Sequence, residues 1–176
     1  MNRIYLIGYM GAGKTTLGAP LAKFLGMTFI DLDVYIENRY HKTINEMFAV
    51  YGEHGFRLIE QKMLQEVSTF ENIVISTGGG APCFFDNMDV MNKAGLTVYL
   101  EVSNAKLHKR LIAGKWKRPK LKDKSDAEIL DFIKSGLAER LPFYSQAKLK
   151  LSAEELESKE CINDAVRLCA NTINDL

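Results

Sequence analysis

A chain of 176 residues that is 47% hydrophobic has the size and composition of one compact domain with a sizeable core. A formal charge of +1 excludes a strong overall attraction to nucleic acid or to an anionic membrane. Cys83, Cys161 and Cys169 form no CxxC pair, which argues against a disulfide framework or a zinc site and fits a reducing cytoplasm.

The N-terminal apolar run is too short for a secretory signal. No stretch reaches the roughly 18 apolar residues of a spanning helix. A soluble cytoplasmic protein is expected.

In chain order, "RIYLIG" (3–8) predicts a first strand, followed directly by glycines. "TTLGAPLAKFLG" (15–26) has helical spacing through Leu17, Leu21, Phe24 and Leu25, and Gly26 supplies a stop. Pro20 removes one hydrogen bond inside that helix and predicts a kink. "TFID" (28–31) is a short strand, and helical signals follow at 34–40, 43–50 and 53–69. So long a helical run between two strands reads as an insertion. "NIVIST" (72–77) is a strand ending in a glycine run, and "LTVYLEV" (96–102) is another. Residues 105–113 read as a helix, 114–125 as a basic loop, and 127–141 as a helix with Ile129, Ile133, Leu137 and Leu141 on one face. "AKLKLS" (147–152) is a last strand, and Ile162, Val166, Cys169, Ile173 and Leu176 mark a closing helix. Short apolar strands alternating with helices predict an α/β fold, a parallel sheet covered on both faces.

Gly8, Gly13, Lys14 and Thr15 complete G-x-x-x-x-G-K-[ST] between a predicted strand and a predicted helix, the context that this phosphate-binding motif requires. Gly11 and Gly13 let the backbone curl and turn its N–H groups toward phosphates. The helix start adds partial positive charge. Lys14 can reach the β and γ phosphates of ATP, and the Thr15 hydroxyl can ligate Mg²⁺.

Asp31 and Asp33 stand two residues apart at the carboxyl end of the second strand, where ligands of open parallel sheets gather. In an extended segment they would share a face. One can serve Mg²⁺, directly or through water, and the other the hydroxyls of an uncharged polyol. Asp33 is also placed to cap the helix over 34–40. Seven arginines stand against sixteen lysines, which makes the arginine positions informative, since the guanidinium fork matches carboxylate and phosphate. Arg57 has Glu60 three residues on, on the same helical face. Arg118 lies in the basic loop and Arg140 near a helix end, whereas Arg3, Arg39 and Arg167 read as solvated charges. Gly78, Gly79 and Gly80 would allow close approach of a ligand. The basic stretch from Lys106 to Lys124 contains Trp116 as its sole aromatic residue, too few for a nucleic-acid stacking platform, and suits a lid that excludes water during phosphoryl transfer.

The ordered set "GYMGAGKTT", "FIDLD", "GEHGFRLIE", "STGGGAP", "KRP" and "ERLPFY" resembles the shikimate kinase family over nearly the whole chain. The resemblance implies a three-layer P-loop kinase fold like that of nucleoside monophosphate kinases, with a five-stranded parallel sheet of order 2-3-1-4-5. It implies one domain over 1–176, with a substrate-binding insertion at about 33–61 and a lid at about 112–125. The implied reaction moves the γ-phosphoryl group of ATP to the 3-hydroxyl of shikimate, on the route to aromatic amino acids. Carried over by residue, Lys14, Asp33 and Arg118 act in catalysis, and Gly11, Ala12, Gly13, Lys14, Thr15, Thr16, Arg110 and Arg118 bind ATP. Asp33, Arg57, Gly78, Gly79, Gly80 and Arg140 take shikimate. Thr15 binds Mg²⁺ and Asp31 reaches it through water. A monomer is implied, with neither nucleic-acid nor membrane partners. Lys120 stands where the family commonly has an apolar lid residue, and Pro20 is unusual in the first helix. Alternatives on this fold are a gluconate- or nucleotide-type kinase and a silent regulatory domain.

Overall fold

The five apolar runs become β1 (Arg3–Ile7), β2 (Thr28–Asp31), β3 (Ile73–Ser76), β4 (Leu96–Glu101) and β5 (Leu149–Ser152). They pair in parallel in the order β2-β3-β1-β4-β5, as the resemblance implied. The computed structural model describes residues 3–114 and 121–174. β1 lies at the centre, with Tyr5 opposite both Ile75 and Thr97, and Ile4 to Ile7 are at most 1% exposed. A strand buried on both faces has no polar side to alternate, which is why it reads as a continuous apolar run.

The helices are α1 (Lys14–Leu25), α2 (Leu32–Tyr40), α3 (Ile44–Val67), α4 (Asn87–Ala94), α5 (Asn104–Ala113), α6 (Asp126–Tyr144) and α7 (Lys159–Asn174). α1 packs on α7 and α5 on α6. Among the described residues no helix is long and apolar enough to cross a membrane.

α1 runs through Pro20 as one helix and ends at Gly26 in the left-handed conformation, as expected. Several local expectations change. α2 begins at Leu32, and its N-cap is Asp31, not Asp33: Asp31 accepts the N–H groups of Asp33 and Val34. The reason is that β2 stops at Asp31 and the chain turns helical at once. The two helices read at 43–50 and 53–69 join as α3, but Gly52 breaks the helical path with φ 67° and ψ 179°. On α6, Ile129 and Ile133 are buried, Leu137 is half-buried and Leu141 is 42% exposed. A strict four-residue stripe advances about 40° per step on a helix of 3.6 residues per turn, so its end rotates off the core. α4, only eight residues long and half polar, is the helix that the strand–helix alternation implies between the third and fourth strands without fixing its bounds, and it follows a 3₁₀ turn over Ala81–Cys83. Leu176 and Lys120 lie outside the described residues.

Candidate active site

Between β1 and α1 the chain folds into the phosphate loop. Gly13 has φ 94°, a left-handed conformation that favours glycine, and a Cβ there would lie 2.5 Å from Leu156 Cδ1. Lys14 is 9% exposed, and its Nζ donates to the carbonyls of Gly8 (2.8 Å) and Tyr9 (3.0 Å). Burial lowers its pKa to about 8, against the opposing pull of Asp33 and Asp31. The Thr15 hydroxyl donates to Asp31 Oδ2 at 2.8 Å and lies 3.5 Å from Ser76 Oγ. Gly11, Gly13, Lys14, Thr15, Thr16 and Arg110 line a cleft of about 340 Å³. Ala12 is buried and gives its N–H to the Tyr9 carbonyl, so it serves the loop's own shape. Arg110 donates to Glu157 and to the carbonyls of Ala153, Glu154 and Gly11.

Asp31 divides its oxygens. Oδ1 caps α2, at 3.2 Å from the Asp33 N–H and 3.4 Å from that of Val34, while Oδ2 takes the Thr15 hydroxyl. Asp33 sits in the first turn of α2, so the two carboxylates do not share a strand face, yet both lie near Lys14. Burial and the Asp31 charge raise the Asp33 pKa. Among the described residues no group of three or more His, Cys, Asp or Glu could hold a metal. Two hydroxyls and a carboxylate instead suit a hard cation that takes most of its ligands from phosphate and water.

A second cleft of about 150 Å³ adjoins the loop, lined by Met10, Asp33, Phe48, Phe56, Arg57, Glu60, Arg140 and the glycine run, among others. Arg57 Nη1 donates to Glu60 Oε2 at 2.7 Å, with both side chains buried, and its Nη2 lies 3.4 Å from Glu53 Oε1. The guanidinium rests 4.2 Å from the centre of the Phe84 ring, and its buried Nε has no protein partner. Burial pushes Glu60 up to about 7, although Arg57 opposes it. Each glycine of the run faces a charge. A Cβ at Gly78 would lie 3.0 Å from both Asp33 Oδ1 and Glu60 Oε1, at Gly79 3.4 Å from Arg140 Nη1, and at Gly80 2.6 Å from Arg57 Nη2. The run is a spacer between two guanidinium groups. The buried Tyr144 hydroxyl donates to the Gly79 carbonyl at 2.6 Å and holds it there.

The structure therefore brings Lys14, Thr15, Asp31 and Asp33 together, and sets Arg57, Arg140 and the glycine run beside them. Arg118 lies outside the described residues. Sequence reasoning passed over Phe84 and Tyr144. Phe84 carries no signal by itself, whereas Tyr144 follows Arg140 by four residues, a spacing that shares a helix face.

Residues 10–170 match the family model described as shikimate kinase. The chain belongs to the shikimate kinase family. It is 53% identical over 174 residues to the shikimate kinase of Phocaeicola vulgatus, covering 99% of each chain. The crystal structure of shikimate kinase from Bacteroides thetaiotaomicron superposes with a TM-score of 0.95 at 52% identity, covering 98% of each chain. Shikimate kinase from Acinetobacter baumannii, solved in complex with shikimate, gives a TM-score of 0.83 at 32% identity, over 99% of this chain and 94% of that one. Like its shikimate kinase relatives, this chain is an ATP-dependent kinase with a P-loop fold.

Proposed function

We propose that this enzyme transfers the γ-phosphoryl group of ATP to the 3-hydroxyl of shikimate, giving shikimate 3-phosphate and ADP. The observation that carries the acceptor is the second cleft: two guanidinium groups and a buried carboxylate converge on a space for one small, ring-sized molecule. A carboxylate suits the two arginines, and hydroxyls suit Asp33.

In this reading Arg57 and Arg140 clamp the shikimate carboxylate, and Gly78, Gly79 and Gly80 let the ring approach. Asp33 orients the hydroxyls and accepts the proton as the attacking oxygen bonds to phosphorus. The bond from phosphorus to the β,γ-bridging oxygen breaks, and ADP leaves with that oxygen. The raised Asp33 pKa makes it a better base than a free aspartate while Lys14 keeps it ionisable. Lys14, with the loop N–H groups of Gly11, Gly13, Thr15 and Thr16, neutralises charge on the phosphates, so catalysis is mainly positioning and electrostatics. Lys14 must exchange its two carbonyl partners for phosphate oxygens. The Thr15 hydroxyl and, through water, Asp31 would hold Mg²⁺, which screens the β and γ phosphates when bound. Arg110 offers its guanidinium face to adenine, since its donors are engaged elsewhere. The insertion over 33–61 forms the acceptor wall and the segment 112–125, with Arg118, the lid, within one kinase domain acting as a cytoplasmic monomer.

The test is ADP release from Mg·ATP with shikimate, gluconate, AMP or no acceptor. Stimulation by shikimate alone supports the reading; stimulation by AMP and not by shikimate overturns it.

A further inference from the structure

Tyr9 stands inside the phosphate loop, but its side chain leaves the nucleotide cleft. It is 1% exposed and runs to α6, where its hydroxyl donates to the Phe132 carbonyl at 3.2 Å. Gly136 makes the room, since a Cβ there would lie 2.5 Å from the Tyr9 hydroxyl oxygen. Four residues along the same helix, the Arg140 guanidinium carbon sits 5.1 Å from the centre of the Tyr9 ring, within the range of cation–π attraction. The Tyr9 carbonyl meanwhile accepts from Lys14 Nζ at 3.0 Å and from the Ala12 N–H at 3.1 Å. One residue thus has its backbone in the donor site and its ring beneath an acceptor-site arginine.

The two arginines of the clamp are held by different means. Arg57 is fixed by the buried carboxylate of Glu60. Among the described residues no carboxylate pairs with Arg140. A carboxylate partner orients a guanidinium but also neutralises it. An aromatic face orients it and leaves its charge for an incoming anion, while the Tyr144 hydroxyl takes one of its N–H groups.

We propose that Tyr9 is a positioning residue whose ring holds Arg140 over the acceptor cleft, so that a phosphate-loop side chain sets affinity for the acceptor carboxylate. The inference rests on the clamp reading of Arg140 given above. Tyr9→Leu keeps apolar bulk and removes the π face. It should raise the shikimate KM on the order of tenfold while the ATP KM changes little. Tyr9→Phe retains the face and should stay within about twofold of the parent. In an Arg140→Ala background, Tyr9→Leu should add nothing to the shikimate KM, the signature of a residue that acts through another. Steady-state kinetics on the full chain, with Tm recorded for each variant, reads these outcomes. Full additivity of Tyr9→Leu with Arg140→Ala would overturn the proposal. So would an equal rise in both KM values, or a Tyr9→Phe defect as large as that of Tyr9→Leu. If Tyr9→Leu does not fold, the Tyr9→Phe kinetics still decide between the ring and the hydroxyl. An unchanged shikimate KM in Arg140→Ala alone would overturn the clamp reading itself, and this proposal with it.

Discussion

The donor cleft and the acceptor cleft adjoin, but they are built from different material. The donor cleft is backbone curled around a glycine, and all but one of its lining residues fall between Gly11 and Thr16. The acceptor cleft is made of side chains from the phosphate loop, α2, α3 and α6, with the backbone of the glycine run among them. One is written in consecutive residues; the other exists only once the topology has brought distant segments together. Damage should therefore differ in kind. Changes in the donor cleft should strike chemistry, and changes in the acceptor cleft should strike affinity and stability together, because two of its charges, Arg57 and Glu60, are buried and mutually dependent.

The sharpest test on the donor side is Lys14→Met. It should cut kcat about 10³-fold, measured by ADP release, because it removes the preorganised charge facing the transferring group. It should not lower Tm, since a lysine whose pKa burial has lowered to about 8 is held ionised against a desolvation penalty. A large fall in Tm would break the contrast.

On the acceptor side, Arg57→Ala should raise the shikimate KM about 10²-fold and leave the ATP KM nearly unchanged. It should also destabilise the fold by roughly 3–5 kcal/mol in urea melts, because Glu60 would be left buried and unpaired. Equal loss of both affinities would erase the distinction between the clefts.

The aspartates sit on the border and sharpen it. Asp33→Asn should lower kcat about 10²-fold. Asp31→Asn keeps a competent helix cap and should chiefly shift the Mg²⁺ requirement, by about tenfold in half-saturating concentration. Identical phenotypes, read from Mg²⁺ titrations of initial rate, would merge the two roles.

The smallest effect is in pH. Glu60 has its pKa raised from 4.5 to about 7 in the fold, so the folded state binds more protons than the unfolded chain in between. Its contribution to stability should therefore fall as pH rises from about 4.5 to 7. Urea melts of the parent and Glu60→Gln should show a steeper decline over that window in the parent.

The same contrast explains what could be read in advance. The phosphate loop, the sheet order and the Arg57–Glu60 pair were legible, the first and last because each depends on residues a few positions apart, and the sheet order through family likeness. Asp31 and Asp33 were placed in the right region for an incomplete reason. A shared strand face was inferred from a two-residue step, but the strand ends at Asp31 and the cap falls there. Phe84 beneath Arg57, Tyr9 beneath Arg140 and Tyr144 on Gly79 were not legible, because each contact crosses from one element to another. The alternation of strands and helices implies α4 but so short a segment does not show its bounds, and Leu141 leaves the core because a four-residue stripe drifts around a helix.

Gly52 carries a consequence of another kind. It joins the half of α3 that bears Phe48 to the half that bears Arg57 and Glu60, at φ 67° and ψ 179°. That region is essentially closed to L-residues, but no neighbour lies within 4 Å of a Cβ built there. The constraint is thus one of handedness rather than of space. An L-alanine should strain the join by about 1–3 kcal/mol. Its mirror image, a D-alanine introduced by chemical synthesis, would find the same torsions in its ordinary extended basin and the room already open.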